Sequence, residues 1–345
     1  MMSKRKLLLN ILLLISVFST TFYLIFRVQD IRGLIETINS TDNRYWLGAI
    51  LCVVFFIGSE SIIIFYMMNS IKQKVKLCHC FLYSFVGFFV SCITPSASGG
   101  QPAQIYFMKK DKIPIPIATL ILMIVTIAYK FVLVLIGGLA FIIRPAKIML
   151  YLEPEIWICL FGLMLNIFCV AFMLLLVFHP TLAKSQLTFL VELLAKLRLI
   201  RRKERYLLKI ETAMKQYQDI AAYFRTHRLV IWNVLIITIF QRLLLFYVTY
   251  LVYRSFGLNG TDLITIVVLQ GMISVAVDML PLPGGMGISE KLFLSIFTPV
   301  FGGVTLPAMV VSRGLSYYTE LVLSAVFTVV AFFTIARKSE RTLER

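Results

Sequence analysis

The chain has 345 residues, 59% of them hydrophobic, with a mean hydropathy of +0.89 and a formal net charge of +17. A soluble domain of this length is usually about half apolar, whereas here the apolar residues gather in runs of roughly 20, the length that crosses a bilayer. This excludes a soluble globular enzyme, and the absence of any nucleic-acid-binding module around the basic residues excludes nucleic acid as the partner.

The first apolar run, 7–26, is flanked by Lys4, Arg5 and Lys6. It is long for a signal-peptide core, and no small-residue cleavage site follows before Arg27, so it reads as a retained helix. Full spans are expected at about 7–26, 46–69, 114–143, 156–178, 229–253 and 306–336. Two further apolar stretches, 78–108 and 263–298, are interrupted by Pro95-Ser96-Ala97-Ser98-Gly99-Gly100-Gln101-Pro102 and by Pro281-Leu282-Pro283-Gly284-Gly285-Met286-Gly287.

Segments 4–6, 72–76, 109–112, 180–228 and 337–345 together carry the whole net charge, while 27–45, 144–155 and 254–262 each sum to zero. The positive-inside rule then predicts a multi-pass cell-membrane protein with both termini in the cytoplasm. Under this assignment each interrupted stretch begins and ends on the same side, so each is a re-entrant pair of half-helices. Pro102 suits the first position of a new helix, and Ser289 could cap another. A helix from Pro102 to Lys110 is about 14 Å long, roughly half a bilayer.

The expected fold is an all-α integral membrane protein with six full spans and two re-entrant hairpins. Residues 1–153 and 154–345 then run as the same series in opposite orientation, an inverted repeat of the kind found in secondary transporters. Two ordinary kinked helices with a different span count are the alternative. Within 180–228, Arg198, Arg201, Arg202, Lys203 and Arg205 cluster with Leu197, Leu199 and Ile200. That pattern suits an interfacial helix drawn to anionic head groups at about 1 kcal/mol per basic residue.

Of the cysteines Cys52, Cys78, Cys80, Cys92, Cys159 and Cys169, five lie in or beside apolar segments, and no disulfide framework is evident. Cys78-His79-Cys80 offers at most three metal ligands, with no distant Cys/His pair to complete a site. No metal, cofactor or catalytic residue is expected.

Eight charged residues lie at membrane depth: Glu60, Lys130, Arg242, Asp278, Glu290, Lys291, Arg313 and Glu320. Each costs a few kcal/mol at mid-bilayer, so they should face the interior and pair with one another. Lys130 and Arg313 lie in equivalent spans of the two halves and should approach the tips. The N-termini at Gly99–Ala103 and Gly287–Glu290 add unpaired N–H groups and positive dipole ends. The candidate site for an anionic head group is therefore Lys130 and Arg313 with Gly99, Gly100, Gln101, Gln104, Gly284, Gly285, Gly287 and Glu290. Glu60, Arg242, Asp278 and Glu320 are the intramembrane charge partners. A purely structural role is the alternative, for example Arg313 with Glu320 two turns on.

The first break followed by Gln104-Ile105-Tyr106-Phe107-Met108-Lys109-Lys110, the Leu-Pro-Gly-Gly-Met-Gly-Ile-Ser-Glu run at 282–290 and the Ser-Arg-Gly-Leu-Ser-Tyr-Tyr run at 312–318 resemble the lysylphosphatidylglycerol synthase transmembrane-domain family. The resemblance covers nearly the whole chain. Many members carry a Gly-Glu and an Arg after the first Pro, where this chain has Gly100-Gln101 and Gln104. It implies a flippase-like protein acting on a membrane phospholipid, with links to aminoacyl-phospholipid metabolism and resistance to cationic antimicrobial peptides. In bifunctional members a soluble domain follows that transfers lysine from lysyl-tRNA to phosphatidylglycerol. This chain ends nine residues past its last expected span, so the expectation is a translocase without that transferase. An ion-coupled small-solute transporter is a further alternative.

The charge pattern makes a direct prediction. Single cysteines at Asn39, Tyr151 and Asn259 in a Cys-free background should react with an impermeant thiol reagent from outside the cell. Cysteines at Lys74, Lys112 and Lys203 should not, and labelling at Lys112 would break the re-entrant assignment.

Overall fold

The computed structural model describes residues 31–196 and 203–336, and among them nearly all secondary structure is helical. The expected first span 7–26, the residues Leu197, Arg198, Leu199, Ile200, Arg201 and Arg202, and the segment 337–345 lie outside the described residues. In chain order, α1 is Ile31–Asn39, α2 Asn43–Ser70, α3 Leu77–Cys92, α4 Gly100–Lys110 and α5 Ile115–Ile143. Then come α6 Ala146–Leu152, α7 Ile156–Phe178, α8 Pro180–Lys196, α9 Lys203–Thr226 and α10 Arg228–Ser255. The last four are α11 Leu263–Val277, α12 Ile288–Phe301, α13 Thr305–Arg313 and α14 Thr319–Ala331. A π turn, Gly314–Tyr318, runs α13 into α14.

Five stretches are long and apolar enough to cross a bilayer: Asn43–Ser70, Ile115–Ile143, Ala146–Phe178, Arg228–Ser255 and Ile288–Ile335. The chain is thus a multi-pass membrane protein. The last stretch combines α12 with the α13–α14 element, and Gly302, at a φ of 59° that favours glycine, turns the chain between them. By contrast α3 and α11 have 16 and 15 residues. At 1.5 Å per residue they are roughly 24 Å long, shorter than a hydrocarbon core of about 30 Å.

Side-chain contacts sort the connections onto two ends. At one end His79 Nδ1 meets Asp111 Oδ2 at 2.5 Å, and Tyr223 donates to the Ser70 carbonyl at 2.8 Å. This gathers 72–76, 109–112 and the part of 180–228 around Tyr223. At the other end Lys147 pairs with Asp262 at 3.6 Å, Lys291 with Glu155 at 3.7 Å, and the Asp42 N–H reaches the Ser255 carbonyl at 3.1 Å. These are the neutral connections. The pair α3–α4 therefore begins and ends at the basic end, and α11–α12 at the neutral end. Asp262 caps α11 by accepting from the Thr265 N–H and hydroxyl, both at 2.9 Å, and those bonds hold its carboxyl below the usual carboxylate range. Trp157 and Trp232 are exposed near opposite ends, as interfacial tryptophans are.

The two halves of the α3–α4 pair pack against each other through small residues. A Cβ on Gly100 would run into the Ser91 hydroxyl and the Gly87 carbonyl, and one on Gly87 into the Gln104 side chain. The breaks themselves face each other, with Pro95 and Pro283 in an isolated antiparallel bridge and the Ser96 hydroxyl donating to the Leu280 carbonyl at 3.1 Å. In the second break Gly284, Gly285 and Gly287 have φ of 57°, 64° and 87°, and a Cβ on Gly284 would enter the Tyr317 ring. In the first, Ser96 and Ala97 take up φ of 51° and 53° without a glycine.

Helices that stop inside an apolar region leave backbone groups in need of partners, and side chains supply them. Tyr317 donates to the Cys92 carbonyl at the end of α3, at 3.1 Å. Asn166 donates to the Val275 carbonyl in the last turn of α11, at 3.2 Å. The Gly99 N–H finds the Thr94 hydroxyl at 3.0 Å, and the Gly287 N–H the Glu290 carboxylate at 2.6 Å. The structure corrects two expectations here. Helix α4 starts at Gly100, so Pro102 is its third residue, where a missing N–H is still harmless. Ser289 lies inside α12, and the capping group is the Glu290 carboxylate, which also accepts from the Ser289 hydroxyl at 3.1 Å.

Helix α7 approaches α11 so closely that a Cβ on Gly162 would lie 2.6 Å from the Ala276 Cα. Gly162→Val should therefore push the helices apart, remove the Asn166 bond and cost about 1–3 kcal/mol or more. Gly138→Ala, which meets nothing within 4 Å, should be neutral or slightly stabilising. Thermal unfolding of the purified variants in one detergent measures both.

Candidate functional site

Between the facing breaks lies a cavity of about 500 Å³. Its wall is built by α2 (Phe56, Glu60), α3 and the first break, α4 (Gln101, Gln104), α5 (Thr126, Tyr129, Lys130), α10 (Arg242), the second break (Asp278, Gly284, Gly285) and the last element (Tyr317, Glu320). Nine of the residues predicted from sequence thus line one space: Glu60, Gln101, Gln104, Lys130, Arg242, Asp278, Gly284, Gly285 and Glu320.

The predicted cations divide into three situations. Lys130 Nζ lies 2.5 Å from Asp278 Oδ2 and 2.9 Å from Met279 Sδ, so α5 is tied to the second break by a nearly buried ion pair. Arg313 does not line the cavity. Its Nε donates to Glu290 Oε1 at 2.7 Å, its Nη2 to the Gly284 carbonyl at 3.0 Å, and its guanidinium lies 4.7 Å from the Tyr317 ring centre. Both cations therefore engage the second break, whereas the sequence suggested one at each tip. The partner of Arg313 is Glu290 rather than Glu320, because the π turn between them alters the register that an unbroken α-helix would give.

Arg242 is the third case. Its guanidinium lies 3.8 Å from the Tyr129 ring centre and 4.9 Å from that of Phe56. Its Nε is buried with no hydrogen-bond partner, and among the described residues it makes no ion pair. Glu60 and Glu320 stand within electrostatic reach of it. Glu60 accepts from Gln104 Nε2 at 2.7 Å, and Glu320 is met by the Cys92 thiol at 3.8 Å. Gln101 donates to the Thr126 hydroxyl, so both glutamines are engaged within the wall. Unpaired buried charge is costly, and two aromatic faces offset about 2 kcal/mol of that cost when desolvated.

The remaining predicted residues are structural neighbours of this space. Gly99 packs against Val90 and Thr94, Gly100 against Ser91 and the Gly87 carbonyl, and Gly287 with Glu290 forms the start of α12. Lys291 is largely exposed at the neutral end. Sequence reasoning missed Tyr129, Phe56 and Tyr317, whose aromatic character is unremarkable in a chain with 28 phenylalanines. Asn166 and Gln241 carried a readable signal, each being an amide inside an apolar run. Gln241 donates to the Phe56 carbonyl at 2.9 Å and so fixes the helix that carries Arg242. The Cys78-His79-Cys80 run holds Asp111 through His79, and no group of three or more metal-ligating side chains occurs among the described residues.

The clamp at Arg313 gives a prediction. Arg313→Gln leaves the Glu290 carboxylate buried and unpaired, which should cost roughly 3–5 kcal/mol and lower the folded yield. Adding Glu290→Gln should restore much of that loss. A double-mutant cycle on thermal stability in detergent measures the coupling.

No curated protein compared with this chain matches it. The family model described as the lysylphosphatidylglycerol synthase TM region matches residues 8–324, a stretch that holds both broken helix pairs and the entire cavity. The chain belongs to the lysylphosphatidylglycerol synthase transmembrane-region family.

Proposed function

We propose that this protein is a membrane translocase that passes the head group of an anionic phospholipid through the cavity between its two broken helix pairs. The observation that carries this reading is Arg242, a cation on the cavity wall held by two aromatic rings and, among the described residues, making no ion pair. A guanidinium can grip a phosphate through two parallel hydrogen bonds. Lys130, neutralised by Asp278, shapes the wall and serves as a secondary contact. The half-helix tips face each other across the passage. Non-helical backbone at this depth is tolerated where it lines a cavity.

In this reading 1–153 and 154–345 are inverted repeats, and the two hairpins move against each other as substrate crosses. The basic end faces the cytoplasm of the cell, carries both termini and meets anionic lipid. The matched family region is the membrane part of a lysylphosphatidylglycerol synthase. A role beside aminoacyl-phospholipid metabolism, including resistance to cationic antimicrobial peptides, follows if the lipid moved is such a product or its precursor. Lysine transfer to phosphatidylglycerol is the competing reading.

Reconstitution into liposomes with a panel of head-group-labelled lipids tests the proposal. Anionic phospholipid should cross faster than in protein-free liposomes. Arg242→Gln should lose most of that activity, about tenfold or more, and Arg242→Lys should keep part of it, because lysine retains the charge without the bidentate geometry. Lys130→Met should have a smaller effect than Arg242→Gln. Full activity in a well-folded Arg242→Gln protein would refute the head-group role.

A further inference from the structure

The charges on the cavity wall do not balance for an anionic cargo. Five acidic and basic side chains line it: Lys130 and Arg242 against Glu60, Asp278 and Glu320. Lys130 and Asp278 cancel at 2.5 Å. That leaves Arg242 facing two carboxylates, one from α2 and one from α14, neither within ion-pair distance of it among the described residues. With both carboxylates ionised, this part of the wall is net negative and repels a phosphate. With one proton on the pair it is neutral, and Arg242 is free to take the phosphate.

We propose that head-group passage is coupled to a proton carried by the Glu60–Glu320 pair. This rests on the translocase reading above. The step balances simply: a carboxylate binds one proton from the solution on the loading side as the anion docks on Arg242, and that proton leaves as the anion departs on the other side. No oxidation or covalent bond is involved. The groups around Glu60 are Gln104 on α4 and Arg242 on α10, with Glu320 on α14 across the same cavity. Those around Glu320 are the Cys92 thiol on α3, Arg242, Glu60 and Arg313. The two acids share one cation and interact with each other, so the proton belongs to the pair. Among the described residues neither acid forms an ion pair, in contrast to Glu290 and Asp278.

The test uses the full chain in liposomes with a fluorescently labelled anionic phospholipid in the membrane and a trapped pH-sensitive dye. An imposed pH gradient should accelerate lipid movement from the acidic side. The dye should report about one proton moved per lipid. In the Glu60→Gln, Glu320→Gln double variant, whatever lipid movement remains should carry no proton and should not respond to pH. Lipid movement by the wild-type protein without any dye signal, at a rate indifferent to the gradient, overturns the coupling and leaves the translocase reading standing. No lipid movement by the wild type overturns both. Proton movement that persists at the same ratio in the double variant also overturns the assignment to this pair.

Discussion

A helix that ends inside an apolar region must find partners for its last carbonyls and first N–H groups, and the rest of this structure depends on that constraint. Water cannot supply them at that depth, and each group left bare costs several kcal/mol. Two helix pairs, α3–α4 and α11–α12, break in this way. The chain answers with Tyr317, Asn166, Thr94, Glu290 and Arg313, all directed at backbone atoms of the breaks. The bonds from Tyr317, Asn166 and Arg313 come from distant parts of the sequence, while those of Thr94 and Glu290 are local. The last element reaches both breaks, through Tyr317 to the first and Arg313 to the second. The breaks are therefore held in place by the framework around them, and they border a cavity in which a few charged groups stand among apolar side chains.

This explains why the membrane-depth charges differ in role although they look alike in sequence. Arg313 and Glu290 serve the backbone of the second break, and both are consumed in doing so. Lys130 and Asp278 tie α5 to the start of the same break. Arg242 and its two carboxylates serve no helix end. They border the cavity, and among the described residues neither carboxylate forms an ion pair with Arg242. Buried unpaired groups tend to mark function.

Much of the architecture was legible from sequence. The apolar runs matched five of the spans, and the Gly/Pro clusters at 95–102 and 281–287 marked the two breaks within about three residues. The net charge of each connection predicted which ones gather together, because charge that stays in water sorts to one face. The site was less legible. Conformational demand at Gly284 and Gly287 shows in their positive φ, yet Ser96 and Ala97 adopt the same region with nothing in their side chains to announce it. Equivalent spacing of Lys130 and Arg313 from the two breaks suggested equivalent roles, but spacing carries no information about which carboxylate a cation will meet. The π turn at Gly314–Tyr318 redirects the residues beyond it, and no local propensity signals such a turn. Arg242 stood out only as a charge at depth, and its isolation is a property of the packed structure.

The central claim is that Arg242, and not the Arg313 clamp, is where an anionic head group rests. A structure of the protein determined in nanodiscs of phosphatidylglycerol tests it most directly. The account predicts a phosphate within hydrogen-bond distance of the Arg242 guanidinium, between Tyr129 and Glu320, with the Arg313–Glu290 pair intact. A phosphate bound at Arg313 with Glu290 displaced, or a cavity without lipid while head groups occupy another site, would contradict it.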